Sequence, residues 1–285
     1  MPVSDFRVNP ARKSAVTVGF RAEFATSGTM ETMCGRFAVT TDPALLAEKI
    51  KAIDETTATA SAEKDPPRPN YNVAPTTTVA TVVKRHSEPD DEATRRVRLM
   101  RWGLLPPWAK TADDGAPDTS GPLLINARSD KVTTSPAFRS SAKAKRCLVP
   151  MDGWYEWKGT KGNKTPFFMY AGDGEPLFMA GLWTTWRPKG ADKASKPLLS
   201  CTIITTDAAG PLADIHDRMP LTISERDWDH WLDPDAPVDE GLLRGHGDLD
   251  RIEIREVSRL VNSVRNNGPE LIEPAEPEPE QATLL

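Results

Sequence analysis

Seven short runs rich in β-branched, aromatic and other apolar residues mark the middle of this chain: Thr78–Val83, Val97–Trp102, Cys147–Pro150, Phe167–Tyr170, Leu177–Leu182, Ser200–Thr205 and Arg251–Val257. Runs of that length and make-up read as strands. No helical pattern alternates with them regularly, which argues against a parallel sheet built of βαβ units. Helix signals are few. Asp42 before Pro43 predicts a helix start, because the carboxylate caps free amides and proline has no N–H to leave unpaired. Leu46, Ile50 and Ile53 then fall on one helical face. A later helix is predicted to begin near Ser224, with Asp227 resembling a capping box and Trp228, Trp231 and Leu232 as its buried side. Many strands with few helices predict an α+β domain on a curved, β-barrel-like sheet with peripheral helices.

Along the 285 residues three segments differ in character. Residues 1–33 are small, polar and weakly periodic, and read as a disordered extension. Residues 34–268 hold the strong patterning and every Trp, and are expected to form a single domain. Residues 269–285 carry five Glu, no basic residue and repeated Pro, and are expected to be a disordered tail. Within the domain, 57–70, 111–122 and 187–197 read as surface loops, and the basic cluster Lys143, Lys145 and Arg146 as a solvated face.

Three scattered cysteines, Cys34, Cys147 and Cys201, argue against a disulfide framework and for a reducing compartment. With no apolar run near the roughly 18–20 residues of a membrane span and no signal-peptide core, the expectation is a soluble, cytoplasmic, monomeric protein without a membrane partner. Phosphate-binding and dinucleotide-binding glycine motifs are missing. The cysteines and His86, His216, His230 and His246 lack zinc spacing, so neither a metal nor a cofactor is expected. Net charge is −5, much of it from the acidic tail, and gives no positive support for a nucleic-acid partner.

Chemistry is suggested by polar residues set among apolar or aromatic ones. Asn126 lies in LLINARSD, Glu156 in DGWYEWKG and His216 in ADIHDRMP. Each has a plain structural alternative: a strand-end cap, an outward-alternating carboxylate, a satisfied histidine. A carboxyl among aromatics would nonetheless have its pKa raised by desolvation, which suits proton transfer near neutrality.

The segments MCGRFAVT (Met33–Thr40), YNVAPTT (Tyr71–Thr77), RWGLLPPWAK (Arg101–Lys110), INARSD (Ile125–Asp130), CLVPMDGWYEWK (Cys147–Lys158), FMAGLW (Phe178–Trp183) and DIHDRMP (Asp214–Pro220), in this order, resemble the SOS-response-associated peptidase (SRAP) family of abasic-site processing proteins. The resemblance implies a single α+β domain with a barrel-like core and a DNA channel. It implies a reactive Cys34, an orienting Asn126, a proton-transferring Glu156 and an assisting His216. It further implies phosphate contacts from Arg36, Arg128 and Arg218. Trp102, Trp108 and Trp157 are candidates for stacking on unpaired bases, with core packing as the alternative, and Asn72 and Pro75 for the pocket wall. The partner implied is single-stranded DNA containing abasic sites, captured as a covalent cross-link that protects the lesion. Cys147 and Cys201, in apolar runs, are expected to be inert core thiols.

That chemistry requires Cys34 to be N-terminal, since only then do amine and thiol sit on adjacent carbons. As written, 33 residues precede it. Translation beginning at Met33, with Met removed, is the favoured explanation; a propeptide cut before Cys34, by the protein itself or otherwise, is the second; a persistent extension on a non-linking protein is the third. The rival functions are a thiol peptidase using Cys34 and His216, and a noncatalytic single-strand binding module.

Overall fold

The computed structural model describes residues 34–56, 68–160, 162–192 and 194–276. The expectations for residues 1–33, for most of the 57–70 loop and for the end of the tail lie outside them.

Among the described residues there are thirteen strands: β1 (Phe37–Val39), β2 (Ile53–Asp54), β3 (Asn70–Val73), β4 (Thr78–Arg85), β5 (Thr94–Trp102), β6 (Asn126–Arg128), β7 (Arg146–Met151), β8 (Gly153–Thr160), β9 (Asn163–Ala171), β10 (Leu177–Trp186), β11 (Leu198–Asp207), β12 (Arg218–Pro220) and β13 (Ile252–Glu256). Four short α-helices accompany them: α1 (Pro43–Lys49), α2 (Arg139–Ala144), α3 (Trp228–Leu232) and α4 (Glu240–Arg244). Six of the seven runs read as strands lie wholly in strands, and the seventh, Arg251–Val257, exceeds β13 by one residue at each end.

Two sheets form. One has the order β13-β9-β8-β1-β3, the other β12-β11-β10-β7-β4-β5-β2, with β6 added beside β11. The second sheet curls until β5 meets β11 in parallel, pairing Arg101 with Ser200 and Trp102 with Cys201. That pairing closes β11, β10, β7, β4 and β5 into a ring, the barrel-like core expected. Period-two alternation gives the ring strands two apolar faces. Leu148, Phe178, Ala180 and Ile204 pack under α1, α3 and α4. Cys147, Val149, Met179 and Ile203 face the first sheet and pack with Phe37, Trp154 and Met169. Cys147 and Cys201 are fully buried free thiols.

Four expectations are corrected. First, α1 starts as predicted, with Asp42 accepting from the Ala44 and Leu45 amides, but it ends at Lys49. A left-handed Lys51 (φ 55°) turns the chain, and Ile53 sits in β2, 49% exposed, instead of on the helix face. Second, Ser224 bonds Asp248 through its hydroxyl and caps no helix; a 3₁₀ turn over Glu225–Asp227 leads into α3. Third, Arg146 is buried, donating to the carbonyls of Trp231, Ala142, Lys143, Ala236 and Asp233, so it ties α2 and α3 to the barrel. Fourth, the ordered chain runs past 268: Leu271 is fully buried with Val257 and Val261, and Pro274 bridges Val257.

Candidate active site

Strand β1 lies between β3 and β8, pairing Phe37 with both Val73 and Trp154. Its side chains alternate: Phe37 joins the core between the sheets, and Ala38 the small cluster outside them. Regular alternation would place Cys34, like Arg36 and Ala38, on the outer side. The chain instead leaves strand register, because Cys34 has φ 37°, a conformation costly for a side-chain-bearing residue. Cys34 is thereby buried in the inner cluster with Phe37, Trp102 and Trp154.

There its nitrogen donates a 2.7 Å hydrogen bond to Glu156 Oε1. Glu156 stands on β8 between Tyr155 and Trp157 and is 4% exposed. Burial pushes its carboxyl up to about 8, opposed by the Cys34 hydrogen bond and by Lys164 and assisted by Asp217. Burial, with Glu156 second, also pushes the Cys34 thiol well above its ordinary range. A protonatable carboxyl is therefore set against the nitrogen of a cysteine whose sulfur stays neutral.

The other sheet supplies the opposite wall. Asn126, at the start of β6, pairs with Ile203 and directs Nδ2 toward the Cys34 carbonyl at a long 3.5 Å. His216 precedes β12, which pairs with β11. Its Nδ1 accepts from the Arg218 amide at 3.0 Å and lies 2.9 Å from Asp217 Oδ1. Both neighbours act on Nδ1 and leave Nε2 for a ligand. Asp217 is the charged group that sequence reading passed over; its signal is its place beside His216 and its electrostatic reach to Glu156.

The residues expected to meet DNA divide. Arg128 is exposed, its fork held by Asp130 at 3.0 and 3.1 Å. Trp108 is 60% exposed and borders a largely apolar groove with Leu104, Leu105 and Leu123. Arg218, by contrast, is buried and committed to Asp207 and the Thr205 carbonyl. Trp102 has no ring face for a base: it is fully buried, edge-on to Phe37, and donates to the Ile125 carbonyl at 3.0 Å. Asn72 is buried and spends its side-chain amide on the backbone of residues 261–266. Trp157 is half-buried, its indole donating to Asn262. Arg36 donates to Asn72 and to the Val261 carbonyl. Pro75 is half-buried between β3 and β4. Among the described residues no group of three or more His, Cys, Asp or Glu could hold a metal ion, and no helix is long and apolar enough to cross a membrane.

Comparison with known proteins gives a consistent result. The model of the family described as SOS response associated peptidase (SRAP) matches residues 33–264. The chain is 36% identical to the abasic site processing protein YoqW of Bacillus subtilis, over 85% of this chain and 99% of that one. It is 34% identical to YedK of Escherichia coli, also an abasic site processing protein, over 85% and 100%. Among solved structures, a Bordetella bronchiseptica protein superimposes with a TM-score of 0.60 at 26% identity, covering 79% of this chain and all of that one. A Bacteroides thetaiotaomicron protein, at 22% identity and TM-score 0.67, shares the fold.

Proposed function

The chain belongs to the SOS response associated peptidase (SRAP) family, and from that premise we propose that it processes abasic sites in single-stranded DNA by bonding to them through Cys34. The observation that carries the proposal is the 2.7 Å contact between the Cys34 nitrogen and the buried Glu156 carboxyl. An abasic site in its open form presents an aldehyde. With Cys34 N-terminal, its neutral amine attacks the carbonyl carbon, and loss of one water leaves a Schiff base. The thiol then adds across the C=N bond, its proton passing to nitrogen, and a five-membered thiazolidine closes.

An α-amino group, with an ordinary pKa near 7.7–8.0, is neutral at pH 7 far more often than a lysine. Glu156 takes the proton from the ammonium form and returns it to the carbinolamine hydroxyl as water departs. A thiol kept neutral by burial favours the amine as first nucleophile. His216, through Nε2, serves the sugar ring oxygen as the ring opens, and Asn126 orients the reacting arm. Arg128 is assigned to phosphates, exchanging Asp130 for the DNA backbone, whereas Arg36, already engaged by Asn72 and the Val261 carbonyl, is assigned to holding the Cys34 arm. Trp108 and its apolar groove offer a stacking platform suited to unpaired bases.

A second reading uses the same contact. With a residue still attached ahead of Cys34, attack of the thiol on the preceding carbonyl, with Glu156 protonating the Cys34 nitrogen, moves the acyl group from N to S. That shift leaves the Cys34 nitrogen as a free amine, the thiol proton passing to Glu156 in place of the one given to nitrogen. Hydrolysis of the thioester then releases the preceding segment as a carboxylic acid and restores the thiol, and the left-handed strain at Cys34 supports this reading.

Cys34→Ser, which keeps the amine and removes the thiol, tests the capture chemistry. Protein with an N-terminal Cys34 should form an adduct with abasic single-stranded DNA that survives denaturing electrophoresis without reductant. The serine variant should be trapped only when borohydride reduces the Schiff base. Equal, reductant-independent adducts from both would refute the thiazolidine, and salt-sensitive binding with no adduct from either would leave a simple binding module.

A further inference from the structure

Arg36 is the last residue on the outer side of β1 before the chain breaks register and carries Cys34 inward. What holds it is a C-terminal strap, residues 258–267, laid across the outside of β1, β3 and β8. Arg36 Nη1 donates to Asn72 Oδ1 at 2.6 Å and to the Val261 carbonyl at 2.9 Å. Asn72 Nδ2 reaches the carbonyls of Val261, Ser263 and Asn266 at 3.3, 3.0 and 2.9 Å. Its oxygen thus faces the Cys34 arm and its nitrogen the strap. The Trp157 indole donates to Asn262 at 2.7 Å, the Tyr71 amide to Asn267 at 2.7 Å, and the Arg36 guanidinium lies 5.9 Å from the Trp157 ring centroid. Tyr155 and Trp157 face this strap, whereas Glu156 between them faces Cys34. One strand therefore reads the strap on one side and holds the proton-transfer group on the other.

We propose that Asn72 is a positioning residue, coupling the C-terminal strap through Arg36 to the place at which the Cys34 nitrogen meets Glu156. The inference rests on covalent capture through Cys34, and adds that the strap sets the rate of that capture without touching the reacting atoms. Loss of the clamp frees the arm to swing, and misplacement of a reacting group by about 1 Å can cost up to ~100-fold in rate.

The test uses protein with an N-terminal Cys34 and a single-stranded oligonucleotide bearing one abasic site, with the same oligonucleotide undamaged for affinity. Asn72→Ala should slow adduct formation at saturating DNA by about 10-fold or more and leave affinity for undamaged DNA unchanged. The pH limb of the rate set by Glu156 should move upward, because the Cys34 contact that holds its proton affinity down is weakened while Lys164 and Asp217 are untouched. General loosening of the fold would not move that limb. Asn262→Ala, at an exposed strap position, should lose rate in the same direction to a smaller extent, and decides the matter alone if the Asn72 variant does not fold. Unchanged rates, or rate losses matched by losses of affinity, overturn the strap's role. Absence of capture by the unsubstituted protein would instead overturn the reading of Cys34 itself.

Discussion

At the scale of single residues, the decisive pairing is a carboxyl denied water and a backbone nitrogen that compensates it incompletely. Glu156 retains a proton up to about 8 in the fold, against an ordinary 4.5. Between those values the unfolded chain gives up a proton that the folded chain keeps, so folding stability falls as pH rises across that window and levels off above it. Glutamine has no such proton. Glu156→Gln should therefore gain stability relative to the unsubstituted chain between pH 5 and pH 8, by on the order of a few kcal/mol. Asp152, whose carboxyl burial also raises, is present in both proteins and cancels from the difference. Paired urea titrations at the two pH values check this; a difference that stays constant or reverses sign rejects the buried-acid account. The same variant should slow adduct formation by about 100-fold with DNA affinity kept, and equal losses in rate and affinity would remove Glu156 from proton transfer.

Strand β8 is the element on which the site depends, and its first residue shows how tightly it is fitted. Gly153 pairs with Tyr170 on β9 and Ala38 on β1. A Cβ at that position would overlap the Met169 carbonyl oxygen and lie 2.5 Å from Phe168 Cζ. Gly153→Ala should thus force β8 and β9 apart and lower stability by about 1–3 kcal/mol, read as a lower urea midpoint; a midpoint equal to that of the unsubstituted chain would contradict the packing described. β8 also shows where sequence reading stopped. Gly153 to Glu156 are buried on both faces, so the polar–apolar alternation that announces a half-exposed strand is missing. β1 and β3, at three and four residues, are too short to display a period. The longer barrel strands were legible because side chains of both faces meet apolar clusters, giving continuous apolar runs. Asn126 and Glu156 stood out as polar residues in apolar company, and both meet Cys34. The strap did not, because its bonds end largely on backbone carbonyls and join residues nearly two hundred positions apart.

For the molecule as a whole, closure of the ring by β5 and β11 fixes where the two sheets face each other, and the site lies at that junction. One sheet brings Cys34 and Glu156; the other brings Asn126 and, beyond β11, the His216–Asp217 turn, whose Asp217 charge acts on Glu156. Net charge said little about this arrangement, because the relevant charges are local and paired: Arg128 with Asp130, Arg218 with Asp207. Arginine motif positions could not by themselves distinguish an exposed fork from a buried one, and only the β11–β12 pairing explains why Arg218 points inward. The most direct measurement of the central claim is the intact mass of protein with an N-terminal Cys34 after incubation with single-stranded DNA carrying one abasic site, followed by peptide mapping. The predicted result is one product, heavier by the DNA less one water, with the added mass on the peptide that begins at Cys34. An adduct mapped to a lysine, or no adduct with both the N-terminus and the lesion verified, would contradict it.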